Sequence, residues 1–163
     1  MQAKWTNEIL DECFTAICRE RPDLDQNRLA RTRALMVRTV PDALVEGYEG
    51  LIPGLELPDP DDRHVLAAAI RGAAQTIVTR NLKDFPAARL APYGIRAQDP
   101  DDFVLGLLNL HGAAVPRIIT EQANDLKNPP RTVEDVLSML EHNGMTRSVA
   151  ELRTVLGGGR WPS

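Results

Sequence analysis

The sequence predicts a helix-rich α/β fold, and three observations carry that reading. Helical spacing dominates the chain. Two short β-branched segments stand among the helices. The order helix, helix, helix, strand, helix, strand, helices is that of an α/β protein. The 163 residues suffice for one domain with an extension. Nineteen Lys and Arg against 23 Asp and Glu give a net charge of −4, and 43% of residues are hydrophobic. This composition can bury a core and argues against disorder. Its acidity argues against a protein that coats nucleic acid by bulk charge, though not against one that grips it locally. No apolar run nears the roughly 18–20 residues of a membrane span, and no signal-peptide pattern opens the chain. A soluble, cytoplasmic protein is therefore expected.

Thr6 caps a first helix that carries Ile9, Leu10, Cys13, Phe14 and Ile17, and Arg21-Pro22 ends it. Asp25 caps a second through Leu29, Leu35 and Met36, which stops before Pro41. Residues 42–58 are mixed, with a short helical stretch near Ala43–Glu46 and then Gly and Pro breaks. Asp59-Pro60-Asp61-Asp62 is a turn feeding an Ala-rich helix, Val65 to Ala73. Gln75–Thr79 is the clearest strand, and Gly94–Gln98 is the second. Weaker strand patterns stand at Leu55–Leu57 and Ala3–Trp5, and Phe85–Pro92 is a turn-rich link or a short helix. Asp99-Pro100-Asp101-Asp102 opens another helix, with a cap, Pro at the first position and acids in the first turn. Residues 113–127 are amphipathic, Asn128-Pro129-Pro130 is a break, and Thr132 with Asp135 starts a helix that Gly144 closes. Thr146 opens the last helix. A long apolar central strand, usual in a covered parallel sheet, is missing.

Carboxylates are the informative side chains. Asp59, Asp61 and Asp62 cluster before a helix, and Asp84 follows the best strand with Asn81 between. Ligands of open α/β sheets bind beyond the carboxyl ends of strands, and oxygen-rich sites there suit Mg²⁺ or Mn²⁺. The same Asp59–Asp62 run also reads as a plain turn and helix cap. Glu12 falls at the border of the first helix's apolar stripe, while Asp11 falls opposite and should be solvated. Glu12 reads equally as a surface glutamate. Arg28, Arg31 and Arg38 share one sector of the second helix, where they could meet phosphates or simply face water. Cys13 and Cys18 are expected as buried thiols and His64 as a helix-surface histidine. His64, His111 and His142 lack zinc spacing, and there is no nucleophile elbow or phosphate loop.

Leu57-Pro-Asp-Pro-Asp-Asp-Arg-His-Val-Leu-Ala-Ala-Ala-Ile70, Ile77-Val-Thr-Arg-Asn81, Asp84-Phe-Pro86, Tyr93-Gly-Ile95 and Pro100-Asp-Asp-Phe103, taken in order, resemble a PIN domain. With Trp5-Thr-Asn-Glu-Ile-Leu-Asp-Glu12 and Pro129-Pro-Arg-Thr132, the pattern is similar to the actinobacterial VapC-like branch. The resemblance implies a three-layer α/β/α fold around a short parallel sheet and a metal-dependent ribonuclease toxin. The expected division is a PIN-like domain over 1–110, a C-terminal helical extension over 111–156 and a flexible tail over 157–163. By motif, Glu12 and Asp62 map to catalytic acids, and Glu12, Asp59, Asp62, Asn81 and Asp84 to the holders of Mg²⁺ or Mn²⁺. Arg28, Arg31 and Arg80 are candidates for the RNA backbone. The implied partners are RNA and a cognate antitoxin of helix-turn-helix type, with no membrane. Apolar faces on the C-terminal helices could also make a homo-oligomer. Two departures stand out. Asn81 is neutral where an aspartate is common, and the family's first strand, with its aspartate, is missing; a start upstream of Met1 is the favoured reading, beside a separate segment that supplies the strand and a decayed remnant. The alternative is a scaffold protein that binds antitoxin or RNA without cleaving.

Overall fold

Capping side chains set where the helices begin. The computed structural model describes residues 2–127 and 129–157. Thr6, fully buried, accepts the Ile9 N–H at 3.0 Å and opens α1, Asn7–Glu20. Asp25 accepts the Asn27 N–H at 2.8 Å and opens α2, Gln26–Thr39. α3 spans Arg63–Arg71, β1 Thr76–Val78, α4 Ala87–Leu90 and β2 Arg96–Gln98. α5 runs over Pro100–Leu110, α6 over Ala114–Asp125, α7 over Val133–His142 and α8 over Thr146–Gly157. Short 3₁₀ segments sit at Pro41–Ala43, Glu49–Gly54, Leu82–Asp84 and Ala91–Tyr93. β1 and β2 form a short parallel two-stranded sheet, so the fold is the helix-rich α/β fold expected.

Contacts group the described chain into two units, Met1–Ile77 with Asn81–Ala97, and Val78–Arg80 with Gln98–Ser163. The first unit packs the Ala-rich helix against the β1–β2 region. Leu66, Ala67, Ala68, Ala69, Ile77, Phe85, Leu90 and Ile95 are all buried in one cluster. Small side chains at 67–69 let neighbours approach α3 closely, which is why an Ala run sits at the core rather than on the surface. The second unit has its own cluster, Leu108, Ile119, Ala123, Val136, Leu137, Val149 and Leu152. A capping box at Thr132 and Asp135 starts α7 as its sequence indicates. The division falls ahead of α5, whereas the sequence reading grouped residues 100–110 with the N-terminal part.

Several local expectations are corrected. The helical stretch expected at Ala43–Glu46 lies one turn earlier, because Pro41 suits a first helical position and the following residues are drawn into extended pairing. Trp5 donates its N–H to Ala43 (2.9 Å) and accepts the Val45 N–H (2.8 Å), so the suspected strand at Ala3–Trp5 is a single parallel bridge to Leu44. Leu55–Leu57 is irregular; Leu55 is buried without strand pairing. Gly157 ends α8, and the rest of the expected tail, like Asn128, lies outside the described residues. Cys13 is exposed and Cys18 half-buried, so neither is the buried thiol expected; Leu10 is the one residue that α1 buries fully. Among the described residues no single helix is long and apolar enough to cross a membrane.

Candidate active site

The site is built at the entry to α3 and completed by the turn after β1. Asp59 closes an Asx turn, accepting the Asp61 N–H at 2.9 Å. Asp62 occupies the N-cap position of α3, yet its side chain makes no capping hydrogen bond. Its carboxylate instead joins Asp59 and Asp84, one oxygen from each lying within 4.8 Å of the others. The plain turn-and-cap reading therefore describes Asp59 and not Asp62. Asp84 is delivered by the 3₁₀ turn after β1, where its N–H bonds the Asn81 carbonyl at 3.2 Å. The Asn81 side-chain amide donates to the Asp84 carboxylate.

Electrostatics at this cluster are unfavourable without a cation. Burial pushes the Asp62 carboxyl above the ordinary carboxylate range. The Asp59, Asp84 and Glu12 charges push it the same way, against a smaller pull from His64. An all-oxygen set of three carboxylates at this spacing fits a hard divalent cation, which would relieve that repulsion.

Glu12 stands beside the cluster rather than in it. Its Oε1 lies 3.3 Å from His64 Nε2, and Glu8 Oε2 lies 3.4 Å from His64 Nδ1. The Tyr48 hydroxyl donates to Glu8 Oε2 at 2.9 Å. Burial and the adjacent Glu8 hold that phenol above its usual range, so it stays a donor. His64 is only 4% exposed, not on the helix surface as its sequence position suggested. Glu8, Tyr48 and the burial of His64 were missed. The i, i+4 spacing of Glu8 and Glu12 was the available signal, since it sets two carboxylates on one face of α1.

The remaining candidates lie apart. Asp11 is exposed as expected but is paired, 2.6 Å from Arg33 of α2. Arg28 and Arg31 are exposed and line a shallow surface cleft of about 550 Å³ with Asp25 and Asn27. Arg80, in the second unit, donates to the Asn143 carbonyl at the end of α7.

Comparison with known proteins gives three results. The PIN domain family matches residues 1–83, and the VapC50 C-terminal domain family matches residues 100–154. Over 98 residues the chain is 43% identical to "Putative ribonuclease VapC50" of Mycobacterium tuberculosis, covering 60% of this chain and 57% of that protein. The match thus spans little more than half the length of that relative. No solved structure matches the chain significantly.

Proposed function

The chain belongs to the PIN domain family, and from that premise we propose that it is a metal-dependent endoribonuclease, the toxin of a VapC-like toxin–antitoxin pair. The observation that carries the reading is Asp62: it stands where a capping residue belongs, caps nothing, and faces two other carboxylates instead. Support also comes from the similarity to a protein named as a ribonuclease.

Asp59, Asp62 and Asp84 would hold Mg²⁺ or Mn²⁺, with Asn81 orienting Asp84 through its amide and Glu12 completing the acidic set. Such an ion, when bound, supplies Lewis acidity that lowers the pKa of water and offsets charge on phosphodiester oxygens. Glu12 and Asp62 take the catalytic role, bringing carboxylates from α1 and from the entry to α3 to bear on the same phosphate. Arg28 and Arg31 carry charge that can meet the RNA backbone. Arg80 does so only if it leaves the Asn143 carbonyl. The proposed setting is cytoplasmic, with a helix-turn-helix antitoxin as partner. Leu110, Ile118 and Met139, apolar and exposed in the second unit, are surface that such a partner or a second copy would cover.

The test is Mn²⁺ binding by calorimetry, with cleavage of a single-stranded RNA in Mg²⁺ or Mn²⁺. Asp62→Asn is expected to weaken Mn²⁺ binding about 10-fold or more and to reduce cleavage by about 100-fold or more, on the order of losing a principal ligand. Unchanged binding and cleavage in that variant would sink the reading. Asn81, an amide where a further carboxylate would strengthen the site, favours one alternative: a scaffold that binds antitoxin or RNA without cutting. Mn²⁺ binding with no cleavage under any condition would support it.

A further inference from the structure

His64 follows the acidic entry to α3, yet it is not one of the clustered ligands. Its ring is buried between two glutamates one turn apart on α1, with Nδ1 3.4 Å from Glu8 and Nε2 3.3 Å from Glu12. Nδ1 completes no hydrogen bond. Burying an imidazole in that state costs free energy that an apolar side chain of similar size would not. What the ring supplies in return is restraint on carboxylates. Glu12 needs it: its side chain is 61% exposed, long and free to rotate. It also shares its surroundings with the Asp62 charge. Repulsion and rotamer entropy both favour swinging the Glu12 carboxylate out into water, away from the cluster. The ring resists that motion because it is rooted in the packed core helix and flanked on its far side by Glu8, which the buried Tyr48 hydroxyl holds at 2.9 Å.

We propose that His64 is the positioning residue for Glu12: its Nε2 keeps the Glu12 carboxylate beside the acidic cluster, and Glu8 with Tyr48 fix the ring that does so. This rests on the reading of Glu12 as a member of the site. His64 itself touches neither RNA nor ion. Its influence passes through a carboxylate, as the groups that orient metal ligands generally act.

The test uses the full 163-residue chain and two readouts, Mn²⁺ affinity by calorimetry and the rate of RNA cleavage. Variants are Glu12→Gln, His64→Leu, His64→Gln, His64→Asn and the Glu12→Gln/His64→Leu double variant. His64→Leu is expected to cost about 10–100-fold in affinity or rate. His64→Gln, whose amide can stand near the Nε2 position, recovers most of that loss. His64→Asn, whose amide stands nearer Nδ1, does not. In the Glu12→Gln background His64→Leu costs less than about 2-fold more, since the group it positions is already changed. Wild-type Mn²⁺ binding together with a wild-type cleavage rate in His64→Leu overturns the proposal, and so do equal losses with and without the Glu12 carboxylate. If His64→Leu fails to fold, the Gln and Asn pair decides: equal behaviour of the two overturns it. Failure of the underlying reading looks different. A wild-type chain that binds no Mn²⁺, or an Asp62→Asn variant that binds it unchanged, removes the acidic site and this inference with it.

Discussion

Asp62 and Ala73 stand at opposite ends of the same helix, and each breaks a local rule. Asp62 is an N-cap residue by position that caps nothing, and its carboxylate is spent on the acidic cluster. Ala73 takes a left-handed backbone, φ 51°, just after a glycine that does not. The reason lies in packing. A Cβ on Gly72 would sit 3.0 Å from Val45 Cγ2 and 3.1 Å from the Ala68 carbonyl oxygen, so any larger residue there would crowd its neighbours. The turn still requires a positive φ, and it falls on the next residue. For an L side chain that conformation costs roughly 1–2 kcal/mol. Glycine at 73 removes the strain but enlarges the unfolded ensemble, which takes back part of the gain. Ala73→Gly is therefore expected to stabilise by about 0.5–1 kcal/mol, raising Tm by roughly 1–4 °C for a chain of this size. Thermal unfolding followed by circular dichroism checks it, and a lowered Tm would show that the strain is absent. The sequence shows a glycine at the end of α3, but not which of two adjacent residues bears the unusual dihedral.

At the scale of elements, α8 is started from outside its own sequence. Asp101, buried in the first turn of α5, accepts the Arg147 N–H at 3.0 Å and the Ser148 N–H at 2.8 Å. The Arg147 side chain binds both Asp101 and Asp102. One carboxylate thus serves the first turn of its own helix and caps a helix forty-odd residues later. Burial pushes the Asp101 carboxyl up, but the hydrogen bonds from Ser148 and Arg147 outweigh it and hold it below the ordinary range. A group lowered in the folded state contributes stability that is complete above its unfolded value. That contribution is lost as pH falls through the folded value. Asp101→Asn is expected to cost about 1–3 kcal/mol at neutral pH. The difference in Tm from wild type should hold from pH 7 down to about 4 and narrow below it. A gap that is absent at pH 7, or constant down to pH 2, would contradict the capping role. Arg153, reaching Glu134 at 2.7 Å and Glu141 at 2.9 Å, is a second tie within the same unit. Its two glutamates are far more exposed than Asp101, which makes this tie the weaker one.

For the whole molecule, the net charge of −4 means that attraction to RNA must be local. If Arg28 and Arg31 supply the phosphate contacts, two neutralised charges on a single strand give a slope of about −1.4 for log affinity against log salt. The Arg28→Ala/Arg31→Ala variant should flatten that slope toward zero and leave Mn²⁺ binding unchanged. Fluorescence anisotropy of a labelled RNA across a salt series measures it. An unchanged slope would move the RNA contacts elsewhere.

The sequence by itself determined where the longer helices lie, because Thr6, Asp25, Asp99 and the Thr132–Asp135 box state their helix starts within a few residues. It determined the α/β class and, through the order of motifs from Leu57 to Phe103, the family. It also picked out Asp59, Asp62 and Asp84, since acids that flank an Ala-rich helix and a strand end are visible at short range. Tertiary structure alone decided what those acids do. Which side chain caps, which joins a cluster and which is braced by a buried histidine depends on groups far apart in the chain. The Asp101 cap on α8 has no periodicity to announce it, and the i, i+4 spacing of Glu8 and Glu12 does not say that His64 meets them; both are contacts across the fold. They arise where separate helices are pressed together by core packing, and there a polar group must find its partner in space rather than in sequence.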